Sequence, residues 1–215
     1  MSPESPERAP NTPDDPPGFL IAFEGLDQSG KETQAQLLRE RLKSEGRRVR
    51  LISFPDYGTS IGEEIARALQ GEREYGADVM QLLYVANRYE RKDEILRWLE
   101  GGLVLLADRY VASSVAYGEG HGLAPDWLTN MQRFLPQADL TILLDIAPAT
   151  AVGRKAVNRD RYERDLDLLT RVRRSYLRQA ESPTWALIDG EQAKADVAAD
   201  IATAVASALA RPSGP

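Results

Sequence analysis

The chain contains no cysteine, which excludes disulfides and thiolate metal sites and suits a reducing compartment such as the cytoplasm. It contains one histidine, His121, so no histidine cluster can gather a metal ion, and His121 itself, in the loop GEGHGLAP, is assigned no role. Long apolar runs are also missing: no stretch approaches the ~18 residues of a membrane-spanning helix, so no membrane association is expected. Positive charge is short as well. Lys and Arg number 27 against 33 Asp and Glu, a formal net charge of -6. That balance argues against the basic face that nonspecific nucleic-acid binding requires, while leaving small anionic ligands open. The N-terminal stretch MSPESPERAPNTPDDPP (1–17) lacks the apolar centre of a signal peptide and reads as a disordered Pro-rich tail, and RPSGP (211–215) reads as a flexible C-terminus.

What is present is an alternation. Apolar strand-like runs recur as FLIAFE (19–24), RVRLISFP (48–55), LVLLAD (103–108), LTILLDI (140–146) and TWALIDG (184–190), with helix-like segments between them. Short runs buried on both faces and separated by amphipathic helices predict an α/β fold of three layers, a five-stranded parallel sheet flanked by helices. At 215 residues the chain is most economically one domain over 18–210, with a lid at about 151–165. The longest helical pattern runs from Ala77 to the Gly101-Gly102 stop. The ligand crevice of such a sheet lies beyond the C-terminal strand ends.

The first strand leads into FEGLDQSGKETQ (23–34) and then a helix, the strand-turn-helix context of a phosphate loop and so of a P-loop NTPase fold. Gly25, Ser29 and Gly30 let backbone N–H groups converge on phosphate oxygens at a helix N-terminus, and Lys31 adds a point charge. The residue after the lysine, where a Ser or Thr hydroxyl normally meets magnesium, is Glu32, and Thr33 follows one position late. Asp27 inside the loop can face an acceptor or a metal, or can simply form the turn. Asp108-Arg109 closes the third strand, where the carboxylate can serve a metal-bound water and the guanidinium a phosphate, or the two can form a structural ion pair. Tyr84 and Arg88 share a helix face and together can grip a base. Arg154, Arg159 and Arg161 lie in an arginine-rich segment after the fourth strand, read either as a lid over phosphates or as a solvated connection.

Taken together, FEGLDQSGKETQ, FPDYGTSIG, LLYVANRYE, DRYVASSVAYG, LLDIAPATA and DRYE (160–163), in that order, resemble the thymidylate kinase family over nearly everything from Phe19 to the final helix. The resemblance implies a P-loop kinase that phosphorylates deoxythymidylate with ATP and Mg2+, and family members usually pair as homodimers. Lys31 then looks like the lysine on the donor phosphates, within a nucleotide loop formed by Gly25, Gln28, Ser29, Gly30, Glu32 and Thr33. Asp27 looks like the carboxylate near the acceptor sugar and phosphate, and Arg109 like the acceptor-phosphate clamp. Tyr84 would stack on thymine and Arg88 read a base carbonyl. Ser113 and Tyr117 would shape the pocket with Phe54 and Pro55 of the FPDYG segment, and Tyr162 would approach from the lid. Asp189 to Gln192 looks like the loop beside the donor adenine.

The chain departs from the family pattern at several points. Glu32 replaces the hydroxyl residue, so magnesium is expected through that carboxylate or through water held by Asp108 and Glu24. Gln28 stands where some members carry a loop arginine, which shifts charge neutralisation to the lid arginines. Tyr57 stands where the eukaryotic form has an arginine that holds the acceptor phosphate, which leaves a weaker clamp or one supplied by Arg109 alone. Gly118 stands where many bacterial forms have glutamine, with consequences for base recognition. A kinase for another nucleotide and a catalytically weak nucleotide-binding regulator are the competing readings. A GTPase-type switch fits less well, because no base-reading NKxD pattern occurs.

Overall fold

A computed structural model describes residues 18–154 and 165–210. Most of the expected lid, both termini, and with them Arg159, Arg161 and Tyr162, lie outside the described residues.

Strands β1 (Phe19–Glu24), β2 (Val49–Ser53), β3 (Val104–Asp108), β4 (Leu140–Asp145) and β5 (Trp185–Asp189) form a five-stranded parallel sheet in the order β2-β3-β1-β4-β5. Alternation divides each strand between two cores. Ile21, Phe23, Leu106 and Ile142 pack with Leu38 of α1 (Lys31–Ser44) and with Ile201 and Val205 of α9 (Lys194–Leu209). Leu20, Ala22, Leu105 and Ala107 face the other way, toward Ile95 and Tyr110. Leu143 joins Ala116 of α5 (Val111–Gly120) and Val172 and Tyr176 of α8 (Leu166–Gln179). Burial on both faces of β1, β3 and β4 is why these central strands read as continuous apolar runs, whereas the edge strands β2 and β5 are only partly buried. Truncating one such side chain, as in Leu106→Ala, costs about 2–5 kcal/mol.

Local chemistry sets the helix starts. Thr59 caps α2 (Ser60–Leu69) by accepting the Gly62 N–H at 3.0 Å, and Asp165 caps α8 by accepting the Leu168 N–H at 2.9 Å. Helix α1 begins at Gly30 with no side-chain cap, which leaves its first amides open toward the loop after β1. The remaining helices are α3 (Ala77–Glu90), α4 (Lys92–Glu100), α6 (Pro125–Asn130) and α7 (Pro148–Arg154).

The single helix expected from Ala77 to the glycine pair is instead two, α3 and α4, parted at Arg91. The Arg91 N–H bonds the Arg88 carbonyl three residues back, tightening the turn. Its guanidinium is tied to Asp56 at 2.6 Å and Glu94 at 2.7 Å, which fixes the joint against the loop after β2.

Neighbouring β1 and β3 send their chains in opposite directions, β1 across to β2 and β3 back across to β4. Their C-terminal loops therefore diverge and leave a crevice, into which Asp27 and Arg109 project.

Candidate active site

The loop after β1 has a shape that its residues dictate. Gly25 has φ 141°, and a Cβ there would lie 2.5 Å from the Leu144 carbonyl oxygen, so only glycine fits. Gln28 (φ 63°) and Gly30 (φ 94°) also take left-handed backbone, curling the loop over the start of α1. Lys31 folds back into this curl, donating from Nζ to the Leu26 carbonyl at 2.7 Å and to the Gly25 carbonyl at 3.2 Å. Burial, followed by the Arg109 charge, pushes its pKa down to about 8 against the opposing pull of Asp27, Asp108 and Glu24. Glu32 and Thr33, by contrast, are exposed on the first turn of α1.

Beneath the loop, Glu24 is fully buried and knots three elements together. Its Oε1 accepts the Tyr110 N–H at 2.8 Å and the Ser113 N–H at 3.2 Å. Its Oε2 accepts the Ser113 hydroxyl at 2.6 Å and the Tyr176 hydroxyl at 2.9 Å. The expectation that Glu24 helps hold a metal changes accordingly: both oxygens are taken by protein donors, and its work is to position α5 and α8 against β1.

Arg109 has left-handed backbone, φ 63°, and its N–H is held by the Phe23 carbonyl at 2.9 Å. That geometry turns the guanidinium off the sheet edge and into the crevice. Nη2 donates to Asp27 Oδ1 at 2.5 Å and Nη1 to the Ser113 hydroxyl at 3.1 Å, while the Tyr117 hydroxyl donates to Asp27 Oδ2 at 2.9 Å. Burial alone would raise the Asp27 pKa, but the charges of Arg109 and Lys31 and these hydrogen bonds hold it at about 2. Burial lowers the Arg109 pKa, yet Asp27 and the surrounding phenols leave it well above its ordinary value.

Beside this pair opens a cavity of about 130 Å³. Phe54, Pro55, Tyr57, Tyr84, Arg88 and Tyr117 line it together with Asp27, Arg109 and Ser113. The described substrate-site residues expected from sequence therefore share one wall system, although they come from four separate segments. Arg88 is buried, and its Nη1 donates to the Ser114 hydroxyl at 2.9 Å and to Gln132 Oε1 at 3.0 Å. Burial lowers its pKa to about 10, so it stays charged at neutral pH. Tyr57 stands half exposed.

Three contributions were not visible in the sequence pattern. Gln132 orients Arg88, Tyr176 reaches Glu24 and Ser113 from α8, and Gln81 lines the cavity although its helix position alone marks nothing polar. His121, given no role, also lines the cavity. A side chain at Gly118 would strike Leu128, with Cβ 2.6 Å from its methyl carbons, so that position faces α6 and the expected link to base recognition is indirect.

On the opposite side of the phosphate loop, Arg154 Nη1 donates to the Gln28 carbonyl at 3.3 Å and Nη2 to the Gly190 carbonyl at 3.0 Å. The loop after β5 is braced by Asp189 Oδ1, which accepts the Glu191 N–H at 2.9 Å, and by Gln192 Nε2, which donates to Asp200 at 3.1 Å. Arg154 thus ties the loop after β1 to the loop after β5, the two segments expected to meet the donor nucleotide.

Magnesium needs few protein ligands when phosphates supply the rest. Among the described residues no group of three His, Cys, Asp or Glu forms a metal cage. Asp108 Oδ1, however, is buried and has no hydrogen-bond partner among these residues, at the end of β3 beside Lys31. A hard cation or its water satisfies such an oxygen, so the donor set fits magnesium held mainly by phosphates.

Comparison with known proteins matches residues 23–201 to the family described as thymidylate kinase. The thymidylate kinase of Plasmodium falciparum is 33% identical over 94% of this chain and 96% of its own length. That of Schizosaccharomyces pombe is 36% identical over 75% of this chain and 76% of its own. The solved thymidylate kinase of Candida albicans superposes with a TM-score of 0.76 at 28% identity, covering 89% of this chain and 92% of that one.

Proposed function

This chain belongs to the thymidylate kinase family, an ATP-dependent phosphotransferase family acting on dTMP, and from that membership we propose how its residues divide the work. The acceptor dTMP occupies the cavity, its base against Tyr84 and Arg88 and its 5′-phosphate on Arg109. ATP lies over the loop after β1, its phosphates on the loop amides and Lys31, its adenine beside Asp189 to Gln192. The observation that carries this arrangement is the Asp27–Arg109 pair, because it stands where the cavity meets the phosphate loop.

A dTMP phosphate oxygen attacks the γ-phosphorus of ATP, and the bond to the β,γ-bridging oxygen breaks, its electrons leaving with ADP. The nucleophile is already an oxyanion, so no strong general base is needed; alignment and charge neutralisation carry the step. Lys31 and Arg109 bring cationic charge to the two sides of the transfer. Arg154 supplies further charge beside the loop after β1, and Arg159 and Arg161, outside the described residues, would add to it. Asp108 would hold magnesium through its free oxygen, with Glu32 reaching its hydration shell, and the ion would neutralise charge on the donor phosphates.

Two copies pair through helices beside the sheet, for which the outward face of α3, with Val79 and Leu82 exposed, is suited. A cytoplasmic location accords with the missing cysteines, and among the described residues no helix is long and apolar enough to cross a membrane. The decisive assay is ADP release with ATP and magnesium, comparing dTMP with dUMP, dCMP, dGMP and thymidine. Turnover confined largely to dTMP supports the arrangement; ATP binding by folded protein without transfer to any acceptor would replace it with a regulatory role.

A further inference from the structure

Helix α3 presents a stripe to the cavity: Ala77, Gln81, Tyr84 and Arg88 recur at helical spacing and all line it. Tyr84 and Arg88 have roles in the proposed site, whereas Gln81 has none. Gln81 is only 3% exposed, and its Oε1 is buried without a hydrogen-bond partner among the described residues. Nearly all buried amide oxygens are paired, and desolvating one without compensation weakens the fold. A wholly structural glutamine at this position would be worse than an apolar residue of the same size, so the unspent oxygen points to a ligand.

The geometry says which part of the ligand. Gln81 lies one helical turn before Tyr84, roughly 4.5 Å along the axis, so a ring stacked on Tyr84 has its edge within reach of the Gln81 side chain. Arg88 can only donate hydrogen bonds, and so it answers carbonyl oxygens on that edge and nothing else. The Ser114 hydroxyl already accepts from Arg88. A ring N–H needs an acceptor, the Gln81 Oε1 is the lining oxygen left without a partner among the described residues, and the terminal torsion of a glutamine is broad enough to swing it into the cavity. Thymine joined to its sugar at N1 has a single ring N–H, at N3, between two carbonyls.

We propose that Gln81 is a specificity-determining residue that accepts the N3–H of the acceptor base, completing an edge that Arg88 reads only in part. This rests on the cavity being the dTMP site. Gln81→Met keeps the shape and removes the amide, and it is compared with wild type in steady-state assays using dTMP and its N3-methyl derivative. In wild type, kcat/KM for the N3-methyl acceptor is expected to fall at least tenfold below that for dTMP. In the variant, KM for dTMP rises about tenfold, KM for ATP stays within twofold, the two acceptors converge, and the thermal midpoint does not fall.

Unchanged acceptor discrimination in a folded variant would overturn the role of Gln81, as would a lowered thermal midpoint with acceptor and ATP kinetics altered alike. Should Gln81→Met not fold, Gln81→Leu serves in its place, and wild-type turnover of both acceptors at equal efficiency overturns the proposal without any variant. Wild-type protein that transfers no phosphate to dTMP would instead overturn the acceptor site itself, a failure distinct from that of Gln81.

Discussion

Arg109 and Asp27 meet across 2.5 Å, joining the end of β3 to the loop after β1 at the point where the cavity opens onto the phosphate loop. The pair holds each partner's charge: Asp27 remains a carboxylate, and Arg109 remains cationic beside an incoming phosphate. Removing the guanidinium in Arg109→Ala leaves Asp27 unpaired and repelling the acceptor. The expected loss in kcat/KM for dTMP is roughly 10²- to 10³-fold, about 3–4 kcal/mol, with KM for ATP little changed. Arg109→Lys should recover only part of it, because one ammonium cannot reach Asp27 and Ser113 in a fixed fork. Steady-state kinetics with each substrate varied separates these outcomes, and equal losses for ATP and dTMP would contradict the assignment to the acceptor side.

The Lys31 pKa of about 8 sets an alkaline limb. In the proposed arrangement Lys31 acts as a cation, so kcat/KM for ATP should fall tenfold per pH unit above about 8, since this ratio reports the free enzyme. Bound phosphates favour the ammonium, so the limb in kcat should lie higher. Asp27, at about 2, gives no acid limb near neutrality. The sign for stability is opposite to that for activity. Between pH 8 and 10.5 the unfolded chain holds a Lys31 proton that the folded protein has shed, so this group makes folding stability rise with pH. A pH profile of kcat/KM for ATP that stayed flat to pH 10 would remove Lys31 from its role as a required cation.

Glu24 tests the scaffold rather than the chemistry. Two of its four hydrogen bonds come from backbone N–H groups on Oε1 and two from hydroxyls on Oε2. Glu24→Gln must therefore keep its oxygen on the amides and turn its NH2 to the Ser113 and Tyr176 hydroxyls, which then have to accept where they now donate. The expected cost is about 1–3 kcal/mol, read as a lower urea midpoint with unchanged slope, together with weakened acceptor turnover because Ser113 no longer holds its place beside Arg109. Unaltered stability would mean that the knot is not as tight as its distances imply.

Glu24 also marks where the sequence stops being legible. The phosphate loop could be read directly, because Gly25 and Gly30 answer to positive-φ backbone and Lys31 follows them at the start of a helix. The strand order of chemistry was legible too, since Asp108-Arg109 ends an apolar run and must reach the crevice. The partnership of Glu24 with Tyr176, 152 residues apart, carries no spacing signal and emerges only when α8 packs on β1. The break at Arg91 was hidden for a related reason: apolar periodicity continues through it, and the cause is an ion pair with Asp56 from a different segment.

The magnesium question can be settled by comparing two carboxylates with opposite surroundings. Asp108 offers a buried oxygen without a partner among the described residues, whereas Glu32 is exposed on the first turn of α1, where its charge also favours the helix N-terminus. Asp108→Asn replaces an anionic ligand with a neutral one in a desolvated place, so half-saturation by Mg2+ should rise at least tenfold and kcat should drop by about 10²-fold. Glu32→Gln, acting through water and across solvent, should shift magnesium dependence less than threefold and cost about 0.3–1 kcal/mol of stability through the helix dipole. Glu32→Ser would go further and restore a hydroxyl to the position after Lys31. A gain in magnesium affinity there would show that the glutamate weakens ion binding without abolishing it. The reverse ranking, with Glu32→Gln the more damaging variant in a magnesium titration, would transfer the ligand role from the end of β3 to the start of α1.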